Sequence, residues 1–253
     1  MRGKRSDCRR EKSSTPDTTR SPFASLTPVS DNRVRKDILG VLISNNKLAK
    51  LLTDTLPPEL PNLFNPWRDR CTDDKPCNGP DAKLARLAAH LACDPKFILC
   101  GEAAGNQGCR HSGIAFTSER LLLEGKIPRI SSMSHRLTSR ALPYSEPSAT
   151  IVWETLYNLG IEERTILWNA LPMHPHKSRD EQSNRTPTSE EFEIGKRALQ
   201  TLVREFPLAK VVAVGRKAEK SLKTMDIRAE YVRHPANGGA TKFAQGLELL
   251  VSG

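Results

Sequence analysis

Residues 96–122 read KFILCGEAAGNQGCRHSGIAFTSERLL, and the fold turns on how this stretch is read. It opens with a short apolar run, Phe97 to Leu99, of the length and composition of a buried strand. Gly101, Gly105, Gly108 and Gly113 then fall within thirteen residues. So many glycines behind a strand mean a backbone that bends sharply or lies close against something. A phosphate, a metal and a nucleobase are the three partners to weigh.

Working outward, strands and helices alternate. The glycine stretch leads into a helix, and residues 125–147 form a loop rich in Pro, Ser and Arg. ATIVWETLYNLG is a helix stopped at Gly160, TILWNALP a strand, and MHPHKSRDEQSNRTP a long polar loop. TSEEFEIGKRALQTLVREF is a helix that Thr188 caps, with Glu191 completing a capping box. KVVAVG is a strand, KAEKSLKTM a helix, AEYVRHP a strand and GATKFAQGLELL a last helix. This order predicts an α/β fold: a three-layer α/β/α sandwich around a central, mainly parallel sheet of four strands. Ligands of such sheets gather beyond the carboxyl ends of the strands. The rule selects Gly101–Phe116, Asn169–His176, Gly215–Lys217 and His234–Gly239.

Upstream, PDAKLARLAAHLA puts Leu84, Leu87 and Leu91 on one helical face. PPELPNLFNPW reads as a Pro-punctuated loop. A helix capped by Asp31 is expected to align Val34, Ile38, Val41, Leu42 and Leu48. Residues 1–30 have the composition of a disordered basic arm, which leaves 31–253 as one domain. Trp67, Trp153 and Trp168 are expected in the core.

The 253 residues carry a net charge of +10, which favours a polyanionic partner, nucleic acid first. Residues 1–30 hold seven Lys/Arg against three Asp/Glu, so the remainder of the chain is basic on its own account. No run of about 18 apolar residues is present, and the basic start lacks the apolar centre of a secretory signal. A cytoplasmic protein without membrane contact is expected. Its six cysteines should then be reduced thiols. Cys71 and Cys77 are spaced too widely for a zinc knuckle and have no later counterpart, so no metal is expected. His174 and His176 are assigned to a solvated or DNA-facing loop.

Phosphate chemistry fits poorly. GEAAGNQG lacks the spacing of a dinucleotide turn, and no GK[ST] follows. The strand ends taken together suit a planar heterocycle better. The first offers Glu102, Asn106, Gln107, Phe116 and Glu119; the second offers Asn169; the last offers His234 in VRHPANGG. A ring stacks, an amide reads an edge, and a histidine touches an oxygen that gains charge.

At these residues the chain resembles the uracil-DNA glycosylase superfamily, over roughly 95–245. GEAAGNQGCRHSGIAF is similar to the family's first motif: its opening GEA-x-G is like the type-4 enzymes, and GCRHSGIAFTSE is like the type-5 enzymes. ILWNALP resembles the strand carrying the uracil-reading asparagine, NRTPTSEE is in the family's style, and VRHPANGG resembles the final histidine-proline motif. The resemblance implies that Phe116 stacks on an extruded base, that Asn169 bonds the uracil edge, and that His234 lies beside uracil O2. It implies that the loop Ala236, Asn237, Gly238 and Gly239 enters the DNA minor groove, although without a large apolar wedge.

Two departures matter. Ala103 stands where the most efficient members carry a water-activating aspartate, and Gly105 where they carry a tyrosine that excludes the thymine methyl. Broader base specificity is therefore expected, and another group must orient water. Glu119 is favoured narrowly over Glu102 as that catalytic acid, with Asn106 or Gln107 as amide alternatives. No cysteine follows Cys109, so neither an iron–sulfur cluster nor any other cofactor is expected. The implied activity is that of a monomeric repair glycosylase. It would bind double- or single-stranded uracil-containing DNA, flip uracil and other deaminated bases out, and hydrolyse the N-glycosidic bond to leave an abasic site. The alternative is a non-catalytic relative that binds damaged or single-stranded DNA. A covalent, suicide-type relative would need a basic insertion before the final histidine that this chain lacks.

Overall fold

A computed structural model describes residues 46–58 and 60–253. The expected arm at 1–30, and most of the helix expected from Asp31, lie outside the described residues. The described residues of that stretch form α1, residues 46–54, which buries Leu48, Ala49 and Leu52.

The chain continues through β1 (Leu63–Phe64), α2 (Pro80–His90) and β2 (Phe97–Ala103). The glycine stretch then yields two short helices, α3 (Cys109–Ser112) and α4 (Glu119–Leu123). Next come α5 (Pro147–Asn158), β3 (Thr165–Leu171) and β4 (His174–Pro175). The last third holds α6 (Ser189–Glu205), β5 (Lys210–Val214), α7 (Arg216–Thr224), β6 (Glu230–Val232) and α8 (Ala240–Ser252).

Four strands form one sheet in the order β3-β2-β5-β6, and every pairing in it is parallel. Helical returns between successive strands leave no other direction. Alternate side chains of each strand enter opposite layers. Ile98, Cys100, Ile166, Trp168 and Ala213 pack with Leu52, Leu87, Leu199 and Leu222, from α1, α2, α6 and α7. Leu99, Leu167, Val212 and Val214 pack with Val152, Trp153, Phe243 and Leu247, from α5 and α8. The three layers are those the sequence order predicts. Each fully buried Leu, Val or Phe contributes about 1.5–3 kcal/mol, so these two faces hold the domain together.

The capping box on α6 forms as read: Glu191 N donates to Thr188 Oγ1 at 3.3 Å, and Thr188 N donates to Glu191 Oε2 at 2.8 Å. The three tryptophans are buried, and Trp67 stacks on Trp168 with centroids 5.9 Å apart. One small sheet escapes the sequence reading. β1 and β4 pair antiparallel, Leu63 opposite Pro175 and Phe64 opposite His174. This pairing ties the two segments read as loops to each other, beside the carboxyl end of β3. It also corrects the reading of His174, which is fully buried, its ring nitrogens 3.0 Å from Ala104 O and 3.2 Å from Glu181 O. Among the described residues no helix is long and apolar enough to cross a membrane. Cys71, Cys77, Cys93, Cys100 and Cys109 are free thiols.

Candidate functional site

A cavity of about 150 Å³ opens at the carboxyl ends of β2 and β3. Pockets for drug-sized ligands run to about 300–1,000 Å³, so this one is scaled to a single small ring. Its lining includes Glu102, Phe116, Glu146, Asn169, Arg185 and His234. A larger cavity, about 680 Å³, lies at the opposite, amino-terminal ends of β5 and β6, around Lys210 and Glu230. It gathers none of the strand-end residues, and the smaller cavity is the one with convergent chemistry.

Three distant segments meet there. Gly101 and Asn169 are partners across the parallel ladder. A Cβ on Gly101 would sit 2.6 Å from Asn169 Oδ1 and 2.7 Å from Phe116 Cζ. Only glycine lets the amide and the ring close over the strand end. Phe116 has φ of 49°, in the left-handed region. An aromatic residue there costs about 1–3 kcal/mol, a strain found mainly where function fixes the conformation. Its ring centroid is 6.3 Å from that of His234. The Asn169 side chain is almost fully buried and makes no hydrogen bond to another described residue, so its donor and acceptor face the cavity.

His234 arrives on the turn after β6. Ala236 N donates to His234 Nδ1 at 3.1 Å, which makes Nδ1 the acceptor and leaves Nε2 to carry the proton of the neutral ring. Burial, then the charges of Arg233 and Lys217, lower its pKa. A neutral imidazole with a fixed N–H is a donor for a developing anion that does not lose its own proton. The exposed residues Asn237 and Gly238 have φ of 54° and 72° and shape the tip of this turn.

Among the remaining residues singled out from the sequence, Glu102 lines the cavity and pairs with Lys217 at 3.3 Å. Burial raises its pKa against the opposing pull of Lys217. The other three do not reach the cavity lining. Gln107 is exposed. The Asn106 side chain accepts from Arg110 Nη1 at 3.4 Å, while its backbone N–H donates to Asn184 Oδ1 at 3.0 Å. Glu119, the favoured acid, is completely buried. Its Oε1 accepts from Arg136 Nε, Leu137 N and Thr138 N at 2.8, 2.9 and 3.0 Å. Its Oε2 accepts from Thr138 Oγ1 at 2.7 Å and Tyr144 N at 3.0 Å. Burial opposes its ionisation, but these bonds outweigh it and hold the pKa down at about 2. Glu119 organises the loop 136–144, and no lone pair is left for a water.

Sequence reasoning missed Glu146. This residue is the N-cap of α5, yet its side chain makes no capping bond. It turns into the cavity instead, over the glycine stretch, where a Cβ on Gly108 would overlap its Oε2 and one on Gly105 would come within 3.7 Å of Oε1. The glycines therefore make room for a carboxylate from another segment. Burial pushes the Glu146 pKa up to about 7. Also missed was Arg185, fixed by Glu191 at 2.6 and 2.7 Å, by His176 O at 2.8 Å and by Asn62 O at 3.1 Å. Its place on NRTPTSEE, the segment already singled out, was the available signal.

Among the described residues one set of potential metal donors occurs, Cys71, Asp73 and His111, with ligand atoms within 4.8 Å of one another. Asp73 Oδ2 is already engaged by Tyr144 Oη at 2.7 Å and Gln182 Nε2 at 3.1 Å, and none of the three lines the cavity.

The family model of the uracil DNA glycosylase superfamily matches residues 88–251, from within α2 to the last turn of α8. No curated protein matches the chain. Among solved structures, that of wild-type SMUG2 from Pedobacter heparinus superposes with a TM-score of 0.56 at 15% identity, covering 82% of this chain and 95% of that one. At such identity the likeness concerns the fold.

Proposed function

The chain belongs to the uracil DNA glycosylase superfamily, and from that premise we propose that it excises uracil from DNA by hydrolysing the N-glycosidic bond. One observation carries the reading: Phe116, Asn169 and His234, far apart in sequence, line a single cavity the size of one base. The enzyme binds DNA through its basic surface and turns the target nucleotide out of the stack. Extrusion costs a few kcal/mol, least for mispaired or single-stranded bases. The base stacks on Phe116. Asn169 pairs with the uracil edge, accepting at one atom and donating at its neighbour. Cytosine offers the opposite pattern and would leave a buried group unpaired.

As the C1′–N1 bond stretches, its electron pair moves onto the base and the sugar becomes oxocarbenium-like. The Nε2–H of His234 donates to the oxygen where that charge collects; one such donor is typically worth about 3–4 kcal/mol. Cavity carboxylates and DNA phosphates stabilise the sugar cation. The turn Ala236–Gly239 sits at the minor groove. Gly105 presents no ring to a 5-methyl group, which supports a substrate range extending to other damaged bases. A single chain completes the cavity, in keeping with a monomer.

A uracil-containing oligonucleotide, incubated with the protein and then treated with alkali, tests the reading. Strand cleavage is expected, with rates falling about 10²–10³-fold in Asn169→Ala and His234→Ala. The same assay over thymine, hypoxanthine and xanthine fixes the range. Ala103, in place of the usual aspartate, favours the rival reading of a non-catalytic binder. Tight binding of the uracil strand without cleavage would establish that rival.

A further inference from the structure

We infer that Glu146 is the catalytic carboxylate that holds and deprotonates the attacking water. The inference rests on the glycosylase reading and assigns its missing part. Hydrolysis needs a group that orients water toward C1′ and takes its proton, and Ala103 cannot do so.

Four acids or amides of the first motif could replace it, and geometry removes three. Glu119 has spent its oxygens on Arg136, Leu137, Thr138 and Tyr144. Asn106 is engaged with Arg110, and Gln107 is exposed away from the lining. Glu102 remains, and it is ion-paired with Lys217 at 3.3 Å, whereas the Glu146 carboxylate has no such partner. Glu146 lines the same cavity, and its carboxylate forms no hydrogen bond or ion pair with a described residue. An N-cap carboxylate ordinarily accepts from the first turn of its helix. This one forgoes that bond and occupies the space that Gly105 and Gly108 leave by lacking side chains.

Its mounting is rigid on both sides. Pro147 fixes the first turn of α5, and the backbone N–H of Tyr144 is held by Glu119 at 3.0 Å. The acid expected from the sequence to work on water thus anchors the loop that carries the one in the cavity. A base is most effective when it titrates near the working pH, and burial places Glu146 there, at about 7.

In the step itself the water oxygen bonds to C1′ while the C1′–N1 pair leaves with the base. The water proton passes to a Glu146 oxygen and from there to solvent or to the departing base anion. The products are a sugar hydroxyl and the free base, with no net change at the enzyme.

The charged and titratable groups around Glu146 are Glu102 with its partner Lys217, Arg185 with its partner Glu191, His234, and Cys109 behind the glycine turn. Burial raises the Cys109 thiol well above neutrality, and His234 is lowered. The rate is therefore expected to climb as pH rises through about 7 and then level off.

Single-turnover excision of uracil from a single-stranded oligonucleotide between pH 5.5 and 9 decides the matter, for wild type, Glu146→Gln and Glu102→Gln. Expected is a fall of about 10²–10³-fold in Glu146→Gln, with its rising limb gone and its affinity for the strand retained. Its melting temperature should be no lower than wild type, since no bond is lost. An active wild type with Glu146→Gln within threefold of it overturns the assignment, as does a large loss confined to Glu102→Gln. A wild type that binds and never cleaves overturns the glycosylase reading itself, which is a different result.

Discussion

Glu119 and Glu146 stand at the two ends of one loop, and their surroundings are opposite. Glu119 is sealed from solvent and satisfied by side-chain and backbone donors, with its pKa held at about 2. The Glu146 carboxylate has no partner among the described residues, faces a cavity, and is raised to about 7. Both are carboxylates at the start of a helix, Glu119 as the first residue of α4 and Glu146 as the N-cap of α5. The comparison teaches that donors aimed at a carboxylate make it structural, while burial without donors makes it reactive.

Removing the charge at the saturated end should have the largest effect. Glu119→Gln leaves Arg136 and several amides facing a group that can accept fewer bonds, and a loss of about 3–5 kcal/mol is expected in urea unfolding. Because the folded-state pKa lies below the unfolded value, this stability is present above pH 4.5 and is shed as pH falls toward 2. An acid titration of wild type and variant that runs parallel through that window would break the contrast.

Next in size is an intrusion at the cavity floor. Gly101→Ala places a methyl 2.6 Å from Asn169 Oδ1 and 2.7 Å from Phe116 Cζ. Displacement of either group by about 1 Å should slow excision roughly 10²-fold. Melting should report a stability loss of about 1–3 kcal/mol from overpacking.

The smallest effect sharpens the comparison at its other end. Between pH 4.5 and about 7 the folded chain holds more protons at Glu146 than the unfolded chain, so stability declines as pH rises through that range. Glu146→Gln removes the cost and should stabilise the protein at pH 8 by about 1 kcal/mol, discounted for the partial exposure of the site. A melting temperature that drops at pH 8 would mean that the carboxylate is bonded after all. A variant more stable yet slower would place the residue among those where activity opposes stability.

Much of the fold was legible because the signals were local. Strand runs such as KFIL, the Thr188–Glu191 capping box and the helical leucines each report on their own segment. Phe116, Asn169 and His234 were legible because each follows a strand, and parallel strands bring their carboxyl ends together. Glu146 was not. Nothing in SEPSAT distinguishes a capping acid from one that turns away from its cap, since the difference depends on glycines some forty residues earlier in the chain. Glu119 misled for the mirror-image reason: its donors come from residues 136–144, which the sequence offers as an unpatterned loop. The two-residue strands β1 and β4 are too short to show any period, and the burial of His174 followed from them.

The central claim is that the cavity of Phe116, Asn169 and His234 receives one base. The most direct measurement is a crystal structure of the protein with uracil and a strand carrying an abasic site. The account predicts the uracil ring stacked on Phe116, its edge paired with the Asn169 amide, and one oxygen within hydrogen-bond reach of His234 Nε2. Uracil bound elsewhere, or a closed cavity with the strand crossing a different face, would contradict it.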